Sequence, residues 1–253
     1  MQKDAADIFA YNVSPDFLPS HPDITAAVTH QIPRFTHVSD QYRKAHYVQL
    51  HLLIDDFSHH GRICEEAVRT FDADAQGYAY AVGHSLVEPI MEYCKARSIA
   101  MEYHDAIYFS HMIIELSVDI CLRRSDEGKE LVALFRQGID QVSTDCFQEF
   151  TGILSWLFAG VNADITRYSL RQVTKFYKSD HLILFADAHD RIQYYAQRLS
   201  ETKVTNDRRS YEGMRTIVEK GLALIGDPKE YLREVVVHAL MESPYCREII
   251  EPL

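Results

Sequence analysis

The stretch His51-Leu52-Leu53-Ile54-Asp55-Asp56-Phe57-Ser58-His59-His60 carries two patterns at once. Tyr47, Leu50, Ile54 and Phe57 are spaced three and four apart, the rhythm of an α-helix. His51, Asp55 and His59 are each four apart, so on that helix they form one polar stripe. The spacing predicts a helix from about Ser39, a good N-cap, to His59, with Gly61 as its stop. A polar stripe inside an apolar helix is costly to bury unless something satisfies it, and a metal ion can do so. A His with a carboxylate one turn on can chelate a single divalent ion.

The same spacing recurs on both sides of a second apolar region. His84-Ser85-Leu86-Val87-Glu88 falls within a predicted helix from Asp74 to Arg97, bent at Gly77, Gly83 and Pro89. His111-Met112-Ile113-Ile114-Glu115 falls within a predicted helix from Met101 to Arg123, apolar over most of its surface and therefore expected at the centre. Further helices are predicted at 23–30, 65–71, 127–137, 139–159, 163–176, 180–200, 207–225 and 228–241. The last follows Gly226-Asp227-Pro228, with Pro at the helix start. Residues 4–38 hold Pro15, Pro19, Pro22 and Pro33, which break a long helix and leave an irregular lead segment. No alternating strand and no fixed-period repeat is found. The expected architecture is all-α, one domain over 1–253 with about eight to ten helices, and a metal site built from residues 10–120.

Composition agrees with this. The 253 residues include only 10 Gly and 8 Pro, too few for an all-β chain rich in turns. Lys+Arg number 26 against 37 Asp+Glu, a net charge of −11, which argues against a general nucleic-acid-binding surface. No apolar run is long enough to span a membrane and no secretory leader is visible. The five cysteines form no C-x-x-C pair and do not read as a disulfide framework, so a cytoplasmic protein is expected. Histidine is abundant, and ten of the 13 precede residue 112.

The candidate ligands are therefore His51, Asp55, His111 and Glu115, with His59, His30 and His84 behind them. Asp16, after Ser14-Pro15 in the lead segment, is the candidate bridging carboxylate or general base, since two neighbouring metals normally share a carboxylate. Its plainer reading is an Asx turn or helix cap. An i, i+4 His–acid pair can equally be a surface ion pair, and a His in an apolar helix a hydrogen-bonded core residue. His104-Asp105 and His189-Asp190 are read as non-ligands.

The order Pro15-Asp16, His30, His51-x-x-x-Asp55-x-x-x-His59 and then His111-x-x-x-Glu115 resembles the zinc-dependent phospholipase C family, whose fold is shared by single-strand-specific zinc nucleases. The likeness covers roughly residues 10–120. A weaker one is to the helical acyl-carrier-protein phosphodiesterases. Members of the first family begin with a Trp that binds a metal, whereas this chain begins Met1-Gln2 and has Trp156 alone. The resemblance implies a zinc cluster and hydrolysis of a small-molecule or lipid phosphoester by metal-activated water; two ions are expected here, and the mixed nitrogen and oxygen ligands suit manganese or iron as well as zinc. It leaves open whether His84/Glu88 or His111/Glu115 closes the site. The rival expectations are an HD-type metal phosphohydrolase, an iron or manganese redox bundle, and a helical scaffold or partner-binding protein with structural histidines. Substrate and oligomeric state are not fixed by the sequence.

Overall fold

A computed structural model describes residues 6–35, 37–64, 76–178 and 208–243. Among them the fold is all-α, with no strand. The expected helices at 65–71 and 180–200, and with them His189-Asp190, lie outside the described residues.

The lead segment is more ordered than its prolines imply. It forms α1 (Asp7–Asn12), α2 (Ser14–Phe17), a 3-10 turn (Leu18–Ser20) and α3 (Ala26–His30). Pro15 and Pro19 sit in first turns, where a missing N–H costs nothing, so they divide this segment into short helices without unfolding it. A 3-10 turn at Asp40–Tyr42 follows Ser39, and α4 runs over Ala45–His60. Ser39 thus precedes a separate turn, and the helix begins later than its N-cap signal predicts. Gly61 ends α4 at φ +66, the left-handed conformation that favours glycine.

The helix expected at 74–97 is three pieces: α5 (Tyr78–Gly83), a 3-10 turn (His84–Leu86) and α6 (Val87–Lys95). Then come α7 (Tyr103–Arg124), α8 (Asp126–Ser143), α9 (Phe147–Leu157), α10 (Ala163–Lys178) and α11 (Arg208–Ile225). The last segment, Pro228–Tyr231 and His238–Glu242, is joined through a π-helical stretch at Leu232–Val237. The break expected at Gly138 falls instead at Thr144. Gly138 lies inside α8 because α1 crosses it so closely that a Cβ would sit 2.1 Å from the Ala6 carbonyl oxygen.

Two apolar clusters form. One joins α5, α6, α7 and α11 through Ile90, Ile114 and Val218. The other joins α1, α2, α4, α8, α9 and α10 through Tyr11, Leu18, Val48 and Phe150. α4 packs against α1 on one side and α5 on the other, with Leu52 and Leu53 fully buried. Burying each such Leu contributes about 1.5–3 kcal/mol. That anchors α4 firmly, and its half-buried stripe of His51, Asp55 and His59 is left for chemistry. Among the described residues no helix is long and apolar enough to cross a membrane.

Candidate metal centre

The stripe on α4 meets two different parts of the fold. At its N-terminal end His51 meets Asp16 of α2 and His30 of α3. Each offers a ligand atom, and the three atoms lie within 4.8 Å of one another. The Nε2 atoms of His30 and His51 are each 3.5 Å from the same Asp16 oxygen, Oδ1.

Local chemistry explains why α2 and α3 deliver these groups. The buried Thr29 hydroxyl donates to the Pro15 carbonyl at 2.8 Å, tying α3 to the turn that carries Asp16. His30 Nδ1 lies 3.0 Å from the Ala26 carbonyl oxygen. A carbonyl only accepts, so this contact puts the proton on Nδ1 and frees Nε2 for a ligand. The Asp16 carboxyl is held below the usual carboxylate range: desolvation by burial opposes the charge, and His51 and His30 together outweigh it. Burial pulls the His51 imidazole down, but the charge of Asp16 raises it overall. His51 Nε2 is buried, within ion-pair range of Asp16, and makes no hydrogen bond.

One end of the stripe further on, His59 meets His111 and Glu115 of α7, again with three ligand atoms within 4.8 Å. His59 Nε2 is 2.9 Å from Glu115 Oε1, and Ser58 donates to that same oxygen at 3.2 Å. Asp55 Oδ1 stands 3.3 Å from His59 Nδ1. His111 is 4% exposed, stacked on Tyr80 at 4.5 Å and met edge-on by Tyr108 at 4.8 Å. Burial drives its pKa down to about 4, so it is neutral at pH 7, and its Nδ1 is buried without a hydrogen bond. Burial also opposes charge on His59, but the hydrogen bond to Glu115 and the charge of Asp55 lift it to about 9. Glu115 is lowered: burial works against its charge, and His59 overrides it.

An orphaned buried ring nitrogen is costly. Each triad contains one, and each also holds a carboxylate within reach. This donor set fits a divalent ion: four imidazoles and three carboxylates, counting Asp55, with no thiolate. A third grouping, Asp7, Cys146 and Glu149, is explained without metal. The Lys44 ammonium already sits in it, 2.6 Å from Asp7 and 2.9 Å from Glu149.

The expected grouping is corrected in one respect. His51 and Asp55 were expected to converge with His111 and Glu115 on one point. His51 and His59 are eight residues apart, about 12 Å along the helix axis at ~1.5 Å per residue. The stripe therefore meets two separate groups of candidate ligands: His59 joins His111 and Glu115, and His51 joins Asp16 and His30. Asp55 lies one turn from each and contacts His59. His84 belongs to neither centre. The helix breaks into a 3-10 turn at His84, which leaves both it and Glu88 exposed. His111/Glu115 is thus the pair brought to the site. His104 and Asp105 pair with each other at 3.2 Å on the surface.

Sequence reasoning missed the supporting residues. Arg34 and Asp56 form a buried bidentate ion pair at 2.7 and 2.8 Å. Tyr231, just before the π-helical stretch, is pushed up to about 12 by burial and by the charges of Glu115 and Asp55. Nothing distinguished it among 15 tyrosines. Asp56 beside Asp55 was readable as a second acid on another face of the helix.

No protein-family model matches the chain, and neither curated proteins nor solved structures show significant similarity to it.

Proposed function

We propose that this chain is a metal-dependent hydrolase of phosphoric esters, with two divalent ions, zinc in the first instance. The observation that carries the reading is the pair of triads, each with a buried ring nitrogen lacking a hydrogen bond, on one stripe of α4. Three protein ligands per centre leave coordination positions open, the pattern of catalytic sites, whereas structural sites are closed by four. Side-chain exposure of 64% at Asp16 and 36% at Glu115 gives solvent and substrate access.

Bound ions there would polarise a phosphoryl oxygen and supply hydroxide near neutral pH. The protein's own groups do the rest. His111, neutral, and Glu115, ionised, need no proton removed before they ligate. His59 gives up one. Asp16 is the proposed base at its end of the stripe, and Asp55 stands 3.3 Å from His59 Nδ1 at the other. Imidazole-rich ligation favours zinc over magnesium or calcium, and His-x-x-x-acid order departs from the Glu-x-x-His order of redox di-iron bundles.

The test is direct. Purified chain, stripped with chelator and reloaded, binds close to two equivalents of zinc and hydrolyses bis(p-nitrophenyl) phosphate. Binding below a tenth of an equivalent removes the metal reading. Two bound ions without hydrolysis of any phosphodiester or phosphomonoester probe removes the hydrolase.

A further inference from the structure

The geometry points to the Arg34–Asp56 ion pair as the positioning device of the Asp16/His30/His51 centre, an inference that rests on the two-ion reading above. Arg34 lies just after α3 and is 6% exposed; Asp56 is 3% exposed. Arg34 Nε and Nη2 donate to the two Asp56 oxygens at 2.8 and 2.7 Å. Its Nη1 donates to the carbonyl oxygens of His30 at 2.8 Å and Ile32 at 2.9 Å. Asp56 in turn accepts from the Cys64 backbone N–H at 3.0 Å. One guanidinium thus fixes the backbone of a ligand residue to the helix that carries His51.

Its place in the ligand set gives this contact its meaning. His51 sits on α4, a long helix packed on both sides. His30 sits at the end of a five-residue helix, which cannot hold itself in water. The side-chain end of His30 is oriented by Ala26 and Thr29. Its backbone is held by Arg34. No such clamp is needed at His59, His111 and Glu115, which all stand on long helices. If stability alone were at stake, a buried ion pair would be a poor choice, because a well-packed apolar pair often does as well. What an apolar pair cannot do is grip the His30 carbonyl. Lysine cannot replace arginine either, since one ammonium lacks the fork that serves Asp56 and His30 together.

The inference predicts a site-selective loss. Zinc affinities of both centres are measured by chelator competition on the full chain, for wild type, Arg34→Lys and the double variant Arg34→Met/Asp56→Leu. The double variant leaves no unpaired buried charge, which keeps the test open if Arg34→Lys folds poorly. The expected result is one centre weakened about 10–100-fold, the scale for residues that orient ligands, and the other unchanged. Metal-free melting temperatures are recorded alongside. Introducing either variant into a His30→Ala background should weaken that centre little further, because the clamp then has no ligand to position. Two unchanged affinities, two equally weakened affinities, or a full additive loss with His30→Ala each overturn the inference. So does failure of both variants to fold, which would make the pair a support of the whole fold. A wild type that binds no zinc overturns the proposed function first, so the two failures are distinguishable.

Discussion

The two ends of the α4 stripe solve one problem in different ways. At the His59 end all three ligands stand on α4 and α7, helices of 16 and 22 residues, with aromatic rings walling His111. At the His51 end two of the three ligands come from helices of four and five residues. The first centre inherits its geometry from core packing. The second depends on hydrogen bonds through Thr29 and Arg34. The difference teaches that a ligand set is as rigid as its weakest element. It also implies that the two centres respond differently to the same kind of perturbation.

The largest expected effect comes from removing a ligand charge. Glu115→Gln keeps the shape and should abolish zinc binding at the His59 end, with a loss exceeding the ~10–100-fold that supporting residues cost. Asp16→Asn should do the same at the His51 end. Site-resolved zinc titration checks both. If either variant empties both centres, the contrast between the ends is broken, and the ions share their ligands more closely than the triads imply.

Acidity gives the next effect. His59 is raised to about 9, His111 lowered to about 4, and Glu115 is already ionised at neutral pH. An ion entering that centre displaces one proton, from His59. Apparent affinity there should rise about tenfold per pH unit between pH 6 and 8. The metal-free chain should show the opposite trend. A raised His59 pKa stabilises the fold fully below the unfolded value of about 6.5 and loses that contribution as pH rises through about 9. Metal titrations with a pH indicator, and melting curves in chelator from pH 6 to 10, check the two signs. A flat affinity profile would contradict the protonated His59–Glu115 pair.

A smaller effect is expected at Thr29. Thr29→Val removes the donor to Pro15 and the contact to His30 Nδ1, so it should weaken the His51 end alone. His84→Ala and His104→Ala should change neither centre, and their stability should stay within about 0.5 kcal/mol of wild type, as for surface substitutions generally. Loss of zinc from His84→Ala would reopen the closing pair.

The fold class was legible because its signals are local. Three–four spacing marked α4 and α7, Gly61 marked an end, and Gly226-Asp227-Pro228 marked a start. Gly138 misled because a glycine can serve a close crossing as well as a turn, and only the path of α1 tells which. His51, Asp55, His59, His111 and Glu115 were visible through periodicity, and Asp16 and His30 as an acid and a histidine of the proline-broken lead segment, in an order the family resemblance matched. Their partition between two centres was not visible. It depends on which neighbour crosses each end of α4, and helical spacing says which residues share a face without saying what faces them. Arg34 was not readable as a clamp, because its partner lies 22 residues away and its acceptors are backbone carbonyls.

The central claim is that one helix stripe holds two separate metal centres. A crystal structure of the zinc-loaded chain, with anomalous data at the zinc edge, tests it most directly. The account predicts two peaks: one within about 2.0–2.2 Å of ligand atoms from Asp16, His30 and His51, the other at the same distance from His59, His111 and Glu115. A single peak shared by His51, Asp55, His111 and Glu115, or no peak on this face of α4, would contradict it.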